Sequence, residues 1–180
     1  MPDAPAPLIR PAQPSDAAAV AAVYAHHVAY GTASFDTVAR SEADTLAKVI
    51  ECADHRWPFL VAEVDRAVVG YAYATQFRDR PAYSWTCENS IYIGPDYVGR
   101  GVGTKLLATL IDAAEMSGFR QMIAVIGGAE PASVALHAKA GFVETGRMRS
   151  VGWKLNKWLD SLYMQRSLGV GDQEAAERQA

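Results

Sequence analysis

The chain has 180 residues, half of them hydrophobic, with a net charge of −3 and two cysteines. That length fits one domain with a substantial core, and the slightly acidic balance lacks the basic surplus or stripe of a nucleic-acid binder. No apolar run approaches the ~20 residues of a membrane span, no leader pattern opens the chain, and Cys52 and Cys87 have neither metal-ligand nor disulfide-framework spacing, so a soluble cytoplasmic protein without a metal is expected.

The opening "MPDAPAP" is Pro/Ala-rich and expected to be loose, and "LIRPA" reads as a first strand. A helix follows in "SDAAAVAAVYAHHVAYG", with Ser15 or Asp16 as N-cap, Val20, Val23, Tyr24 and Val28 as its apolar stripe, and Gly31 as its stop. Ser41 caps a second helix, "SEADTLAKVIECAD". The β-rich runs "FLVAEV" and "AVVGYAYATQF", split by Asp65-Arg66, read as a hairpin. The strand "WTCENSIYI" leads through glycines into a helix from about Gly101 to Ser117, with Val102, Leu106, Leu107, Leu110 and Ala114 on one face. "FRQMIAVIG" is a buried strand, and "PASVALHAKAG" is a short helix with Pro131 in its first turn and Gly141 closing it. "FVETGRMRSVGW" and "KWLDSLYMQRSL" are the last strands, and the tail after Leu168 lacks an apolar face and should be solvated. The order predicts one α/β domain over 1–168 with a mixed sheet, antiparallel where hairpins precede the helical crossovers.

Gly99, Gly101 and Gly103 stand where the apolar period changes from two to about 3.6. A helix N-terminus offers unpaired N–H groups and partial positive charge to a phosphate, and glycines remove the Cβ atoms that would hold it off. Arg100 and Lys105 add charge nearby. The pattern is not a P-loop, because Thr104-Lys105 follows Gly103 in the wrong order, and its GxGxG spacing is not the dinucleotide GxGxxG.

"YVGRGVGTKLL" resembles the pyrophosphate loop of the GNAT superfamily of acetyl-CoA-dependent N-acetyltransferases, and the resemblance runs from about Leu8 to Leu168. "FLVAEVDRAVVGYAYA", "AYSWTCENSIYI", "GFRQMIAVIG" and "SVALHAKAGF" resemble its phosphinothricin and methionine sulfoximine acetyltransferase branch. The resemblance implies a GNAT-like, mostly antiparallel sheet with splayed middle strands, acetyl-CoA as donor, a small amine as acceptor and a homodimer. It places the cofactor on Ile91, Tyr92 and Ile93, on Val98, Gly99, Arg100, Gly101, Val102, Gly103 and Thr104, and on Ser133. Two positions depart from the pattern. Val98 replaces the loop's Gln or Arg, and Glu130 in "EPAS" replaces an Asn, so a carboxylate stands where an amide would donate.

Amine attack on a thioester requires a neutral amine, a stabilised oxyanion and a protonated leaving thiolate. Glu88 is the candidate base: strand alternation puts it on one face with Ser90 and Tyr92, and Cys87, Asn89 and Ile91 on the other. The branch resemblance gives a glutamate in this context that role. Backbone N–H groups near Tyr92 and Ile93 are the candidate oxyanion donors, and His137, one helical turn from Ser133, is the candidate acid. Arg78, Arg80 and Tyr83 precede the Glu88 strand and suit an anionic acceptor, while Phe35 lies where the family lines its acceptor pocket. His26, His27 and His55 carry no motif. The expected activity is acetyl transfer to an amine of the phosphinothricin, methionine sulfoximine or methionine sulfone type. The rival readings are a peptide or protein N-acetyltransferase and a non-catalytic CoA-binding sensor.

Overall fold

The computed structural model describes residues 6–176. The strands are β1 (Leu8–Pro11), β2 (Phe59–Val64), β3 (Ala67–Gln76), β4 (Thr86–Ile93), β5 (Gln121–Gly127), β6 (Val143–Lys154) and β7 (Lys157–Ser167). The helices are α1 (Ala17–Tyr30), α2 (Glu42–Asp54), α3 (Val102–Met116) and α4 (Pro131–Lys139). All seven strands form one sheet in the order β1-β2-β3-β4-β5-β7-β6. Only β4 and β5 run parallel, because α3 carries the chain back between them.

Local chemistry accounts for the element boundaries. Asp65 and Arg66 both take positive φ, as the tight turn joining β2 to β3 requires, and Leu155-Asn156 repeats this between β6 and β7. The Ser41 hydroxyl accepts from the Asp44 N–H, and the Asp44 carboxylate accepts from the Ser41 N–H, so α2 opens on a reciprocal cap. Asp16 caps differently from the expectation for α1. Its carboxylate accepts from the Gln13 N–H at 2.7 Å and pairs with Arg10, closing a short 3-10 turn ahead of the helix.

Strand alternation splits the core in two. Leu60, Ala62 and Val64 join α3's Leu106, Leu107 and Leu110 on one face of the sheet. Phe59, Val61, Tyr71 and Tyr73 meet Val20, Tyr24 and Val28 of α1 and Val49 and Cys52 of α2 on the other. The segment after β7 is tied at its start rather than loose: Leu168 is buried, and turns bond Gly171 N–H to Leu168 O and Gln173 N–H to Val170 O. The expectations for residues 1–5 and 177–180 fall outside the described residues. Among the described residues no helix is long and apolar enough to cross a membrane, and no group of three or more His, Cys, Asp or Glu is placed to hold a metal ion.

Candidate active site

The central parallel pair separates part-way along its length. β4 pairs with β5 only from Thr86 to Asn89, against Gln121 to Ala124, yet β4 continues along β3 to Ile93 and β5 continues along β7 to Gly127. A cavity of about 440 Å3 passes through this gap. Glu88, Ser90 and Tyr92 line it from the α1–α2 side, and Asn89, Ser133 and His137 line it from the other. The alternation read from "TCENSIYI" therefore assigns side chains to the two mouths of one opening.

The backbone donors at the gap follow from the register. Gly94 N–H donates to Val69 O, so the groups of Ile93 and Ile91 point away from β3, toward the gap, while Tyr92 N–H is turned to β3. Of the N–H groups near Tyr92 and Ile93 expected from the sequence to face the gap, those of Ile93 and Ile91 do so by this register and that of Tyr92 does not. The Ile93 carbonyl, which would otherwise look for β5, lies 2.8 Å from His27 Nε2. His27 also packs on Tyr92, with ring centroids 5.2 Å apart.

Glu88 is half-buried, and burial pushes its carboxyl above the usual range while the Arg78 cation pulls it part of the way back. A carboxylate raised in this way is a stronger base for an ammonium proton. His137 is buried at 2 % exposure, with Nδ1 2.8 Å from Ser133 O and Nε2 3.0 Å from Asn89 Oδ1. The Asn89 amide nitrogen donates to Ile123 O, which leaves Oδ1 to accept from His137 Nε2–H. Both ring nitrogens thus face acceptors, an arrangement suited to the acid form. Burial opposes that charge and holds the His137 pKa below its usual value.

At the cofactor side, Gly99 and Gly101 have φ of +77° and +78°, and a Cβ on either would meet nothing within 4 Å. Their glycine is required by backbone conformation rather than by crowding within the protein. The first helical bond of α3 runs from Lys105 N–H to Gly101 O, so the N–H groups of Val102, Gly103 and Thr104 have no helical acceptor. Val98 is exposed, and Arg100 lies over the Tyr97 ring. Glu130 is the N-cap of α4, but its side chain caps nothing.

The acceptor side differs from expectation. Phe35 lines the cavity, but Arg78, Arg80 and Tyr83 do not. All three are exposed at the rim, where Arg78 lies over the Phe77 ring and Tyr83 meets that ring edge-on. The reason is the turn at Pro81–Tyr83, which carries the loop beyond the end of the sheet before β4 starts. Arg40 and Lys48 are the cations that line the cavity itself. Arg40 lies over the Tyr24 ring and donates to Tyr73 Oη at 3.3 Å. Sequence reasoning passed over Arg40, His27 and Asn89, because each finds its partner 33 to 66 residues away and no local spacing records the pairing.

Residues 9–163 match the family model of the acetyltransferase (GNAT) domain. The chain is 46% identical over 165 residues to the phosphinothricin N-acetyltransferase of Alcaligenes faecalis, covering 91% of this chain and 84% of that one. It is 36% identical over 168 residues to the L-methionine sulfoximine/L-methionine sulfone acetyltransferase of Salmonella typhimurium, covering 93% and 96%. Its structure matches, with a TM-score of 0.93 and 40% identity, the crystal structure of a GNAT superfamily phosphinothricin acetyltransferase from Sinorhizobium meliloti in complex with AcCoA, covering 95% and 93%.

Proposed function

The chain belongs to the GNAT acetyltransferase family, and on that premise we propose that it transfers an acetyl group from acetyl-CoA to the primary amine of a small amino-acid-like acceptor. The observation that carries this reading is the cavity through the β4–β5 gap, with the half-buried Glu88 carboxylate at one mouth and the α3 N-terminus, its first N–H groups without helical acceptors, following the end of β4. The two left-handed glycines and the open N–H groups of Val102 to Thr104 fit the pyrophosphate of acetyl-CoA, whose charge the helix dipole favours. Relatives named for phosphinothricin and for methionine sulfoximine and sulfone support the acceptor class.

In this reading Glu88 takes the ammonium proton, directly or through water, and the N–H groups of Ile91 and Ile93 meet the charge that develops on the thioester oxygen. His137 gives the leaving thiolate its proton, exchanging Asn89 Oδ1 for sulfur. Arg78 and Arg80 at the rim, with Arg40 and Lys48 inside, receive the anionic groups of the acceptor, and Phe35 and Tyr83 supply apolar wall.

We further propose a homodimer acting in the cytoplasm without a membrane or nucleic-acid partner. The exposed Trp153 and Trp158 support the dimer, and two unpaired buried cysteines suit a reducing compartment. The test is release of free thiol from acetyl-CoA across amino acids and their sulfone, sulfoximine and phosphinate analogues. Turnover of these amines supports the reading; acetyl-CoA binding without thiol release from any of them replaces it with a CoA sensor.

A further inference from the structure

Gly152 lies on β6, outside the cavity, and its φ is not in the left-handed region, so backbone freedom does not explain the missing side chain. Space does. A Cβ at Gly152 would stand 2.5, 2.8 and 3.0 Å from three ring carbons of Phe35. Gly127 on β5 is crowded as well: its Cβ would stand 2.7 Å from Thr32 O and 3.0 and 3.1 Å from two ring carbons of Phe35. Gly127 pairs with Ser161 and Gly152 with Leu159, so the two glycines flank β7 and the Phe35 ring is seated in the notch between them.

The segment carrying Phe35 is held from below. Lys154 Nζ donates to Ser34 O at 2.7 Å, and Ser34 Oγ lies 2.7 Å from Tyr24 Oη and accepts from the Asp36 N–H. With the backbone fixed at Ser34, pressure on the ring turns the side chain rather than lifting the loop. Gly127 and Ser161 line the cavity and no residue of β6 does, so a ring pushed away from β6 moves toward the cavity.

We propose that Gly152 is a specificity-determining position that acts through Phe35: its missing side chain lets the ring sink between β5 and β6 and keeps room for the acceptor's side chain. The inference rests on reading the cavity as the acceptor site. Gly152→Ala is expected to raise the KM of acceptors with methionine-length side chains by about tenfold or more, the scale at which a hydrophobic pocket registers a lost methylene or two. Acceptors with alanine-length side chains and acetyl-CoA itself should keep KM within about twofold. In a Phe35→Ala background the same substitution should have no effect on selectivity, because the ring that transmits it is gone.

Parent, both single variants and the double variant are compared with a long and a short acceptor, with thermal unfolding of each confirming that it folds. Equal loss for long and short acceptors, or a loss that persists in the Phe35→Ala background, overturns the inference. If Gly152→Ala alone fails to fold, the comparison of Phe35→Ala with the double variant still decides it, since any selectivity difference between those two contradicts the mechanism. Absence of thiol release from the parent with every amine removes the functional reading itself; thiol release whose selectivity ignores residue 152 removes the inference alone.

Discussion

Glu88 stands opposite Thr75 in the β3–β4 register, at the last turns of pairing before β4 and β5 part. Its environment sets two opposed pressures, burial raising the carboxyl pKa and the Arg78 cation lowering it. Glu88→Gln keeps the shape and removes the base, so kcat should fall by on the order of 10²–10⁴, with acetyl-CoA affinity retained and part of the loss recovered at high pH, where free amine is abundant. An unchanged rate at neutral pH would return Glu88 to a structural role. Arg78→Ala tests the second pressure. Removing a cation that favours the carboxylate raises the Glu88 pKa further, so the acid limb of kcat/KM should move to higher pH than in the parent. A pH profile that stays put, or moves down, contradicts the coupling.

At the α3 N-terminus the candidate site consists of backbone N–H groups rather than side chains. Gly101 and Gly103 look alike in the sequence and differ in the structure. Gly101 holds φ at +78°, so any Cβ there strains the turn before ligand enters the argument. Gly103 is helical, and its Cβ would make only ordinary contacts at 3.5 Å to Leu136 and 3.6 Å to Ile93. Alanine suits a helix better than glycine by up to about 1 kcal/mol. Gly103→Ala should therefore raise the unfolding temperature slightly and, at the same time, raise the acetyl-CoA KM by about tenfold, equivalent to one lost hydrogen bond. The opposite signs make the measurement selective. Higher stability with unchanged KM would mean that nothing approaches the helix there.

At the scale of the whole molecule, the sheet ends on β6, an edge strand exposed along nearly all its length. Long unprotected edges invite a partner. Met148, Val151, Trp153 and Trp158 lie on this last hairpin with 43 to 63 % exposure, more apolar surface than a solvated hairpin needs. Sedimentation at micromolar concentration should give twice the chain mass, and Trp153→Ser with Trp158→Ser should move it toward monomer. A parent that sediments as monomer removes the dimer.

How much of this was legible beforehand depends on the range of the physics. Periodicity, Asp65-Arg66 and the Ser41–Asp44 cap are local, and elements read from them match the observed β1 to β7 and α1 to α4 closely. The same alternation put Glu88 and Asn89 on opposite faces, and the glycine pattern with the family resemblance marked the α3 N-terminus as a candidate phosphate loop. The opening itself was not written in any one segment. It exists because β5 turns to β7 after Ala124 while β4 stays with β3, and strand pairing is a property of two segments at once. For that reason the sequence named Arg78 and Arg80, which are neighbours of β4 along the chain, and missed Arg40, which reaches Tyr73 across 33 residues. Composition and spacing determined the domain and its elements, and the family resemblance named Glu88 as the candidate base; only packing decided which backbone donors face the gap, which cations line the cavity, and that a glycine on β6 leaves space for Phe35, because each of these is a contact between residues that the chain keeps far apart.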